Sequence, residues 1–355
     1  MLKVFIHVGP PKTGTSALQN WLLQNRLWLQ QNGIYYPEHG VDVNGVSSGN
    51  VESLYDRNKE RHLLFNPDKL IDVKQQCEKV NCKSLLLSSE FFFQKIPELA
   101  ELIPQARFIA YIRHPLEVAE SSYNQSVKRH SCKETIALSD KPKSFNLDTL
   151  EGYLHRLPED AFYLRGYGKS VFAGGNLISD FLSIFQLEPL NPASAEKGDV
   201  NSSYTLEALE VKRWFNQFEL PVLHRALDQF LQGRQSGTRY YSVIAPDKFQ
   251  QINEIYATRV SEFVDRFFVF NNEQLLEHIN HYQQRPPVSQ HINEKEFYNI
   301  VADFLRSIPA PGKALEDDIK MLLEIPKEQV DFEPLRLVTF RKALPWSKRL
   351  KWRLF

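Results

Sequence analysis

Apolar residues fall into two kinds of run along this chain. Short, almost unbroken ones, VFIHV at Val4 to Val8, SLLLSS at Ser84 to Ser89, FIAYI at Phe108 to Ile112 and a short one opening at Phe162, predict strands buried on both faces, as in a parallel sheet. The others have helical spacing. Leu177, Phe181, Leu182 and Phe185 form one apolar stripe, and Leu206 to Leu231 and Lys248 to Phe268 repeat apolar positions every three or four residues, with polar Gly233 to Ser242 between them. Strands alternating with helices and then a helical second half predict an α/β class. Roughly 100 residues separate the first and third strands, room for the crossovers that parallel pairing requires.

The first strand runs into a loop. In FIHVGPPKTGTSAL, Phe5 to Leu18, an apolar strand is followed by glycines at Gly9 and Gly14 and then a helix start. Backbone N–H groups from Thr13 to Ser16 at such a helix N-terminus are unpaired and face an anion favourably, and the glycines let the backbone close around it. The loop resembles a Walker A motif, GxxxxGK[ST], with one departure. Thr15 stands where the lysine belongs, and the lysine, Lys12, lies inside the loop. That shift argues against an ordinary ATPase.

A second segment has the same layout. In RFIAYIRHPLEVAESSYNQSVKR, the strand at Phe108 to Ile112 ends at Arg113, His114-Pro115 follows, a helix begins near Leu116, and Ser121 lies eight residues after Arg113. PKTGTS resembles the 5′-phosphosulfate loop of the sulfotransferases, and the Arg113 and Ser121 pair resembles their 3′-phosphate motif; the resemblance covers roughly residues 1 to 210. It implies a three-layer, P-loop NTPase-like α/β fold and transfer of a sulfuryl group from 3′-phosphoadenosine 5′-phosphosulfate (PAPS) to an acceptor hydroxyl, without a required metal. Pro11, Lys12, Thr13, Gly14, Thr15 and Ser16 then surround the 5′-phosphate, Lys12 neutralises the transferred group, and Arg113 and Ser121 grip the 3′-phosphate. Tyr167, in the loop after the strand at Phe162, matches an aromatic position near the adenine, or is an ordinary packing residue.

Glu90 follows the strand SLLLSS and precedes Phe91, Phe92 and Phe93. It has two readings: a base that takes the acceptor's proton, its proton affinity raised by aromatic neighbours, or part of a helix start with Ser88 and Ser89. SSEFF looks similar to the catalytic glutamate segment of some sulfotransferases. GDVNSSYTLEAL, Gly198 to Leu209, resembles a segment before a helix in bacterial members, with Thr205 a good cap; the basic, glycine-rich late segment of the small-molecule sulfotransferases is not found. Residues between Gly33 and His62, including Tyr35, Tyr36, His39, Asn50 and Arg57, are candidates for the acceptor side.

Composition narrows the partners. Among 355 residues, 43 basic and 43 acidic side chains cancel, which argues against a nucleic-acid binder. Cys77, Cys82 and Cys132 are too few for a disulfide framework, no apolar run spans a membrane, and the first strand leads straight into the loop, so the expectation is a cytoplasmic protein similar to bacterial sulfotransferases. The acceptor expected is a saccharide or glycolipid hydroxyl. Residues 1–330 are expected to form the sulfotransferase domain, with a cofactor-binding core over about 1–190 and a mainly helical acceptor side over 191–330. A basic amphipathic tail over 331–355 either packs through Leu344, Trp346, Leu350 and Trp352 or meets a membrane surface or polyanion. The competing functions are a P-loop kinase or NTPase and a noncatalytic nucleotide or glycan binder.

Overall fold

A computed structural model describes residues 2–41, 47–60, 62–188, 204–308 and 312–345. They divide into two compact units that are not contiguous in sequence. The first takes 1–118, 140–201 and 251–282, and the second takes 119–139, 202–250 and 283–355. The sequence reading placed one boundary near residue 190, whereas the segment 251–282 belongs with the sheet and 119–139 belongs with the later helices.

In the first unit, β1 (Lys3–Gly9) leads into α1 (Thr15–Gln24), α2 (Arg26–Gln31) and the short β2 (Ile34–Tyr35). A two-stranded hairpin, β3 (Tyr55–Arg57) with β4 (Leu63–Phe65), precedes α3 (Pro67–Lys79) and β5 (Ser84–Ser88). Helix α3 starts where its sequence says: Pro67 needs no donor at the first helical position, and the Asn66 side chain accepts from the N–H groups of Asp68 and Lys69. A 3₁₀ turn over Glu90–Lys95 leads to α4 (Ile96–Leu102) and β6 (Ala106–Ile112), and then come α5 (Pro115–Arg129), α6 (Phe145–Leu154), β7 (Phe162–Gly166) and α7 (Leu177–Ser183).

The sheet has the order β2-β5-β1-β6-β7, with every pairing parallel. Its central strand, β1, therefore has a neighbour on each side and helices over each face. Val4, Ile6 and Val8 join Leu85, Leu87, Phe108 and Ala110 in one apolar cluster, while Phe5 joins Leu86, Ile109 and Tyr111 in another. This alternation from Val4 to Val8, where His7 is the one polar residue, is what burial on both faces looks like. Each such fully buried aliphatic side chain contributes about 1.5–3 kcal/mol. Leu18 and Leu22 of α1 and Phe181 and Leu182 of α7 cover one face; Leu70 and Val73 of α3 and Leu147 and Leu150 of α6 cover the other.

The second unit is helical among its described residues. α8 (Leu206–Phe215) starts at Thr205, whose side chain accepts from the Ala208 N–H. The run expected over Leu206 to Leu231 is two helices, because Pro221 begins α9 (Pro221–Gly233) and Leu220 before it is non-helical. α10 (Pro246–Arg266), α11 (Asn272–Asn280), α12 (Glu294–Ser307), α13 (Lys313–Glu324) and α14 (Leu335–Ala343) complete the chain. Of these, α11 and most of α10 belong to the first unit. Trp214 packs with Phe215, Phe218 and Phe297 at the centre of the second unit's core. In the expected tail, Arg336, Leu337, Phe340 and Leu344 are buried, so this part packs; Trp346, Leu350 and Trp352 lie outside the described residues. No helix among the described residues is long and apolar enough to cross a membrane.

Candidate functional site

The site lies at the carboxyl ends of β1, β5, β6 and β7, where open parallel sheets take ligands. The loop between β1 and α1 carries three left-handed residues, Gly9 (φ 93°), Lys12 (φ 73°) and Gly14 (φ 75°). At Gly14 only glycine fits on two counts. Its φ disfavours any side chain, and a Cβ there would sit 2.6 Å from Leu177 Cδ2 and 3.2 Å from the Tyr167 ring.

Three successive carbonyls of this loop are held by side chains. Thr13 Oγ1 donates to Pro10 O at 2.6 Å, Asn146 Nδ2 to Pro11 O at 3.1 Å, and Arg113 Nη1 to Lys12 O at 2.7 Å. Meanwhile the backbone N–H groups of Thr13, Gly14, Thr15 and Ser16 find no acceptor among the described residues. Oxygens occupied and amides free is the polarity a phosphate needs.

Around the loop stand the charged groups. Thr15 Oγ1 donates to Glu90 Oε1, so Glu90 reaches the loop rather than ending as a cap. The cap of the 3₁₀ turn is Ser89, whose Oγ accepts from the Phe91 N–H at 3.2 Å. The aromatic wall expected around Glu90 is not built as expected, for Phe92 and Phe93 are buried in the core and only Phe91 is exposed, at 45%, with the Arg57 guanidinium 5.3 Å from its ring. Lys12 is half-buried between charges: burial pulls its pKa below the ordinary lysine value, Glu90 pushes it up and Arg113 pulls it further down.

Arg113 follows β6 and is held on three sides. Besides Lys12 O, its Nε donates to Glu117 Oε2 at 2.7 Å, and its guanidinium carbon lies 4.8 Å from the centre of the Tyr167 ring. Its Nη2 group makes no hydrogen bond among the described residues. Tyr167 thus lies at the loop, against both Gly14 and Arg113. Next to Arg113, His114 caps α5: its Nδ1 accepts the Leu116 N–H at 3.1 Å, and its ring lies 4.1 Å from that of Tyr282. Burial lowers the His114 pKa to about 4, with Glu117 raising it and His278 lowering it. Under the sheet's end, His7 is also buried, hydrogen-bonded through Nδ1 to Ser88 Oγ at 2.8 Å, and lowered by burial to about 3.

The first unit therefore brings Pro11, Lys12, Thr13, Gly14, Thr15, Ser16, Glu90, Arg113 and Tyr167 to one place. Ser121 is half-buried on α5, on the stretch that belongs to the second unit. The hydroxyls of Thr13 and Thr15 already donate within the protein, which leaves the backbone amides, Ser16 and the Lys12 ammonium as the loop's remaining donors among the described residues. Of the acceptor-side candidates, Tyr36 and Asn50 are buried supports: Tyr36 Oη pairs with His39 Nε2 at 2.9 Å, and Asn50 Oδ1 accepts from the Ser88 N–H at 2.8 Å. Gly198 to Ser203 lies outside the described residues. Two site residues went unread in the sequence. Glu117 stands four positions after Arg113 on a helix, a readable ion-pair spacing, whereas nothing near Asn146 announces a contact with the loop. Comparison with profiles of known protein families, with characterised proteins and with solved structures found no match.

Proposed function

We propose that the chain is a PAPS-dependent sulfotransferase on a P-loop NTPase-like three-layer fold. One observation carries the reading: the hydrogen bond from Arg113 to Lys12 O joins the two phosphate-directed motifs, 101 residues apart in sequence, at one point. A 5′-phosphosulfate at the loop's free amides and a 3′-phosphate at Arg113 then belong to one nucleotide, with Tyr167 beside it. The donor supplies a sulfuryl group whose bond to the 5′-phosphate oxygen breaks as the acceptor oxygen bonds to sulfur, the bisphosphate leaving with the bonding electrons.

The chain's own groups have two tasks in this reaction. Glu90 takes the proton that the acceptor hydroxyl loses; its Oε1 is engaged by Thr15, which leaves Oε2 for that proton. Lys12 neutralises the charge that grows on the sulfuryl and leaving oxygens, a role for which a partly desolvated ammonium is strong. The exposed ring of Phe91, next to Glu90, suits the C–H face of a sugar, and a saccharide or glycolipid hydroxyl is the acceptor proposed. Three unpaired cysteines suit a reducing, cytoplasmic setting.

Calorimetric titration with adenosine 3′,5′-bisphosphate, adenosine 5′-phosphosulfate and ATP with Mg²⁺ tests the reading on wild type and Arg113→Ala. Preference for the bisphosphate, lost in the variant, supports it. Preference for ATP with Mg²⁺, or indifference to the 3′-phosphate, moves a P-loop kinase to first place.

A further inference from the structure

Arg113 touches both the loop and the first turn of α5, and its geometry is set by a carboxylate. A free arginine samples many rotamers and gives up about 2 kcal/mol of freedom when held. Here the Glu117 bond at Nε and the Lys12 carbonyl at Nη1 fix two edges of the guanidinium, and the Tyr167 ring covers a face. Glu117 and Arg113 are both about one-fifth exposed, so solvent weakens this pair less than a surface one. The Lys12 carbonyl at the far end belongs to a non-glycine residue in the left-handed region, a conformation that costs free energy and persists only where surroundings hold it.

We infer that Glu117 is a positioning residue: by holding Arg113 on the Lys12 carbonyl it keeps the phosphate loop in its anion-binding conformation, so that the 5′ end of a nucleotide is felt at Glu117. Glu117 touches neither phosphate in this scheme. A consequence separates it from a residue that merely tunes Arg113 for a 3′-phosphate. Ligands with no 3′-phosphate must also depend on Glu117, because what it stabilises is the loop. Having an acceptor oxygen is what matters, so Gln in its place retains most of the effect and Ala does not. The inference rests on the proposed function for the identity of the ligands but not for the loop's dependence on Glu117.

The test has two arms on full-length wild type, Glu117→Ala and Glu117→Gln. The first is backbone NMR of ligand-free protein, in which chemical shifts and conformational exchange of residues 12–16 are compared with those of the rest of α5. Loss of the left-handed Lys12 shift pattern and new conformational exchange in the loop of Glu117→Ala, with Glu117→Gln close to wild type, support the inference. Unchanged loop shifts and exchange, or changes spread evenly along α5 as for a frayed helix, overturn it. The second arm is calorimetry with adenosine 5′-phosphosulfate and adenosine 3′,5′-bisphosphate. Equal fold-losses for both in Glu117→Ala support the inference, and a loss confined to the bisphosphate overturns it. If wild type binds neither nucleotide, the proposed function falls while the NMR arm still decides the role of Glu117.

Discussion

The hydroxyl of Thr15 donates to Glu90 Oε1, tying the first residue of α1 to the first residue of the 3₁₀ turn after β5. The proposed base is thereby oriented by the phosphate loop itself, and the two functions of that bond separate by mutation. Glu90→Gln keeps an acceptor for Thr15 but cannot take a proton, so kcat is expected to fall by about 10²–10⁴ with bisphosphate affinity retained. Thr15→Val takes one hydrogen bond from the carboxylate and is expected to lower stability by about 1–2 kcal/mol in urea titration. A Glu90→Gln enzyme as active as wild type removes Glu90 from the chemistry.

Lys12 is expected to matter for the chemical step more than for binding. Lys12→Ala should lower kcat by about 10²–10³ in the manner of a lost oxyanion donor, with a smaller change in bisphosphate affinity. Since burial depresses its pKa, activity that needs the ammonium should decline at a pH below the ordinary lysine range. Lys12→Arg should carry that alkaline limb upward, which a kcat profile from pH 7 to 11 would read.

Acid sensitivity is expected from His114. Its pKa in the fold is about 4 against 6.5 unperturbed, so between these values the unfolded chain binds a proton that the folded one refuses. Stability from this group is therefore fully present above pH 6.5 and falls as pH drops towards 4, by about 3 kcal/mol over the window. Protonation of Nδ1 also removes the acceptor that caps α5. His114→Asn keeps a capping acceptor and deletes the titration, so its acid-unfolding midpoint should lie at lower pH than that of wild type. Coincident midpoints would show that the titration of His114 does not govern the transition.

Asp180 of α7 is the most heavily bonded buried carboxylate near the site. It receives Arg165 Nη2 at 2.9 Å, Tyr111 Oη at 2.8 Å and the Ala173 N–H at 2.8 Å, with 1% of its side chain exposed. Asp180→Ala strands a buried guanidinium and is expected to cost about 3–5 kcal/mol. Replacing both partners, Arg165→Met with Asp180→Leu, should cost less than the single change, as thermal unfolding of the three proteins would show.

The sequence was most legible where burial is two-sided. β1, β5 and β6 announce themselves because their central stretches, Val4 to Val8, Leu85 to Leu87 and Phe108 to Ile112, are apolar apart from His7, whereas β2, of two residues, is too short for any period to show. Glycine spacing exposed the loop, and Arg113 was legible because an arginine ending an apolar strand is an expensive choice. Side-chain direction was not legible. Phe92 and Phe93 stand beside Glu90 in sequence, yet the 3₁₀ turn points them into the core, and Asn146 meets the loop only because α6 packs beside it. Nor could spacing reveal that Pro221 splits one helical pattern in two, since the apolar period continues across the break.

The partners that grip the Lys12 and Pro11 carbonyls come from 101 and 135 residues downstream. The proposed anion site is thus not assembled in any fragment that stops short of Asn146, however well its own strand and helix form. A nascent chain completes the loop's support only after much of the first unit has been synthesised and has docked, so the proposed nucleotide capture would double as a certificate of completed topology.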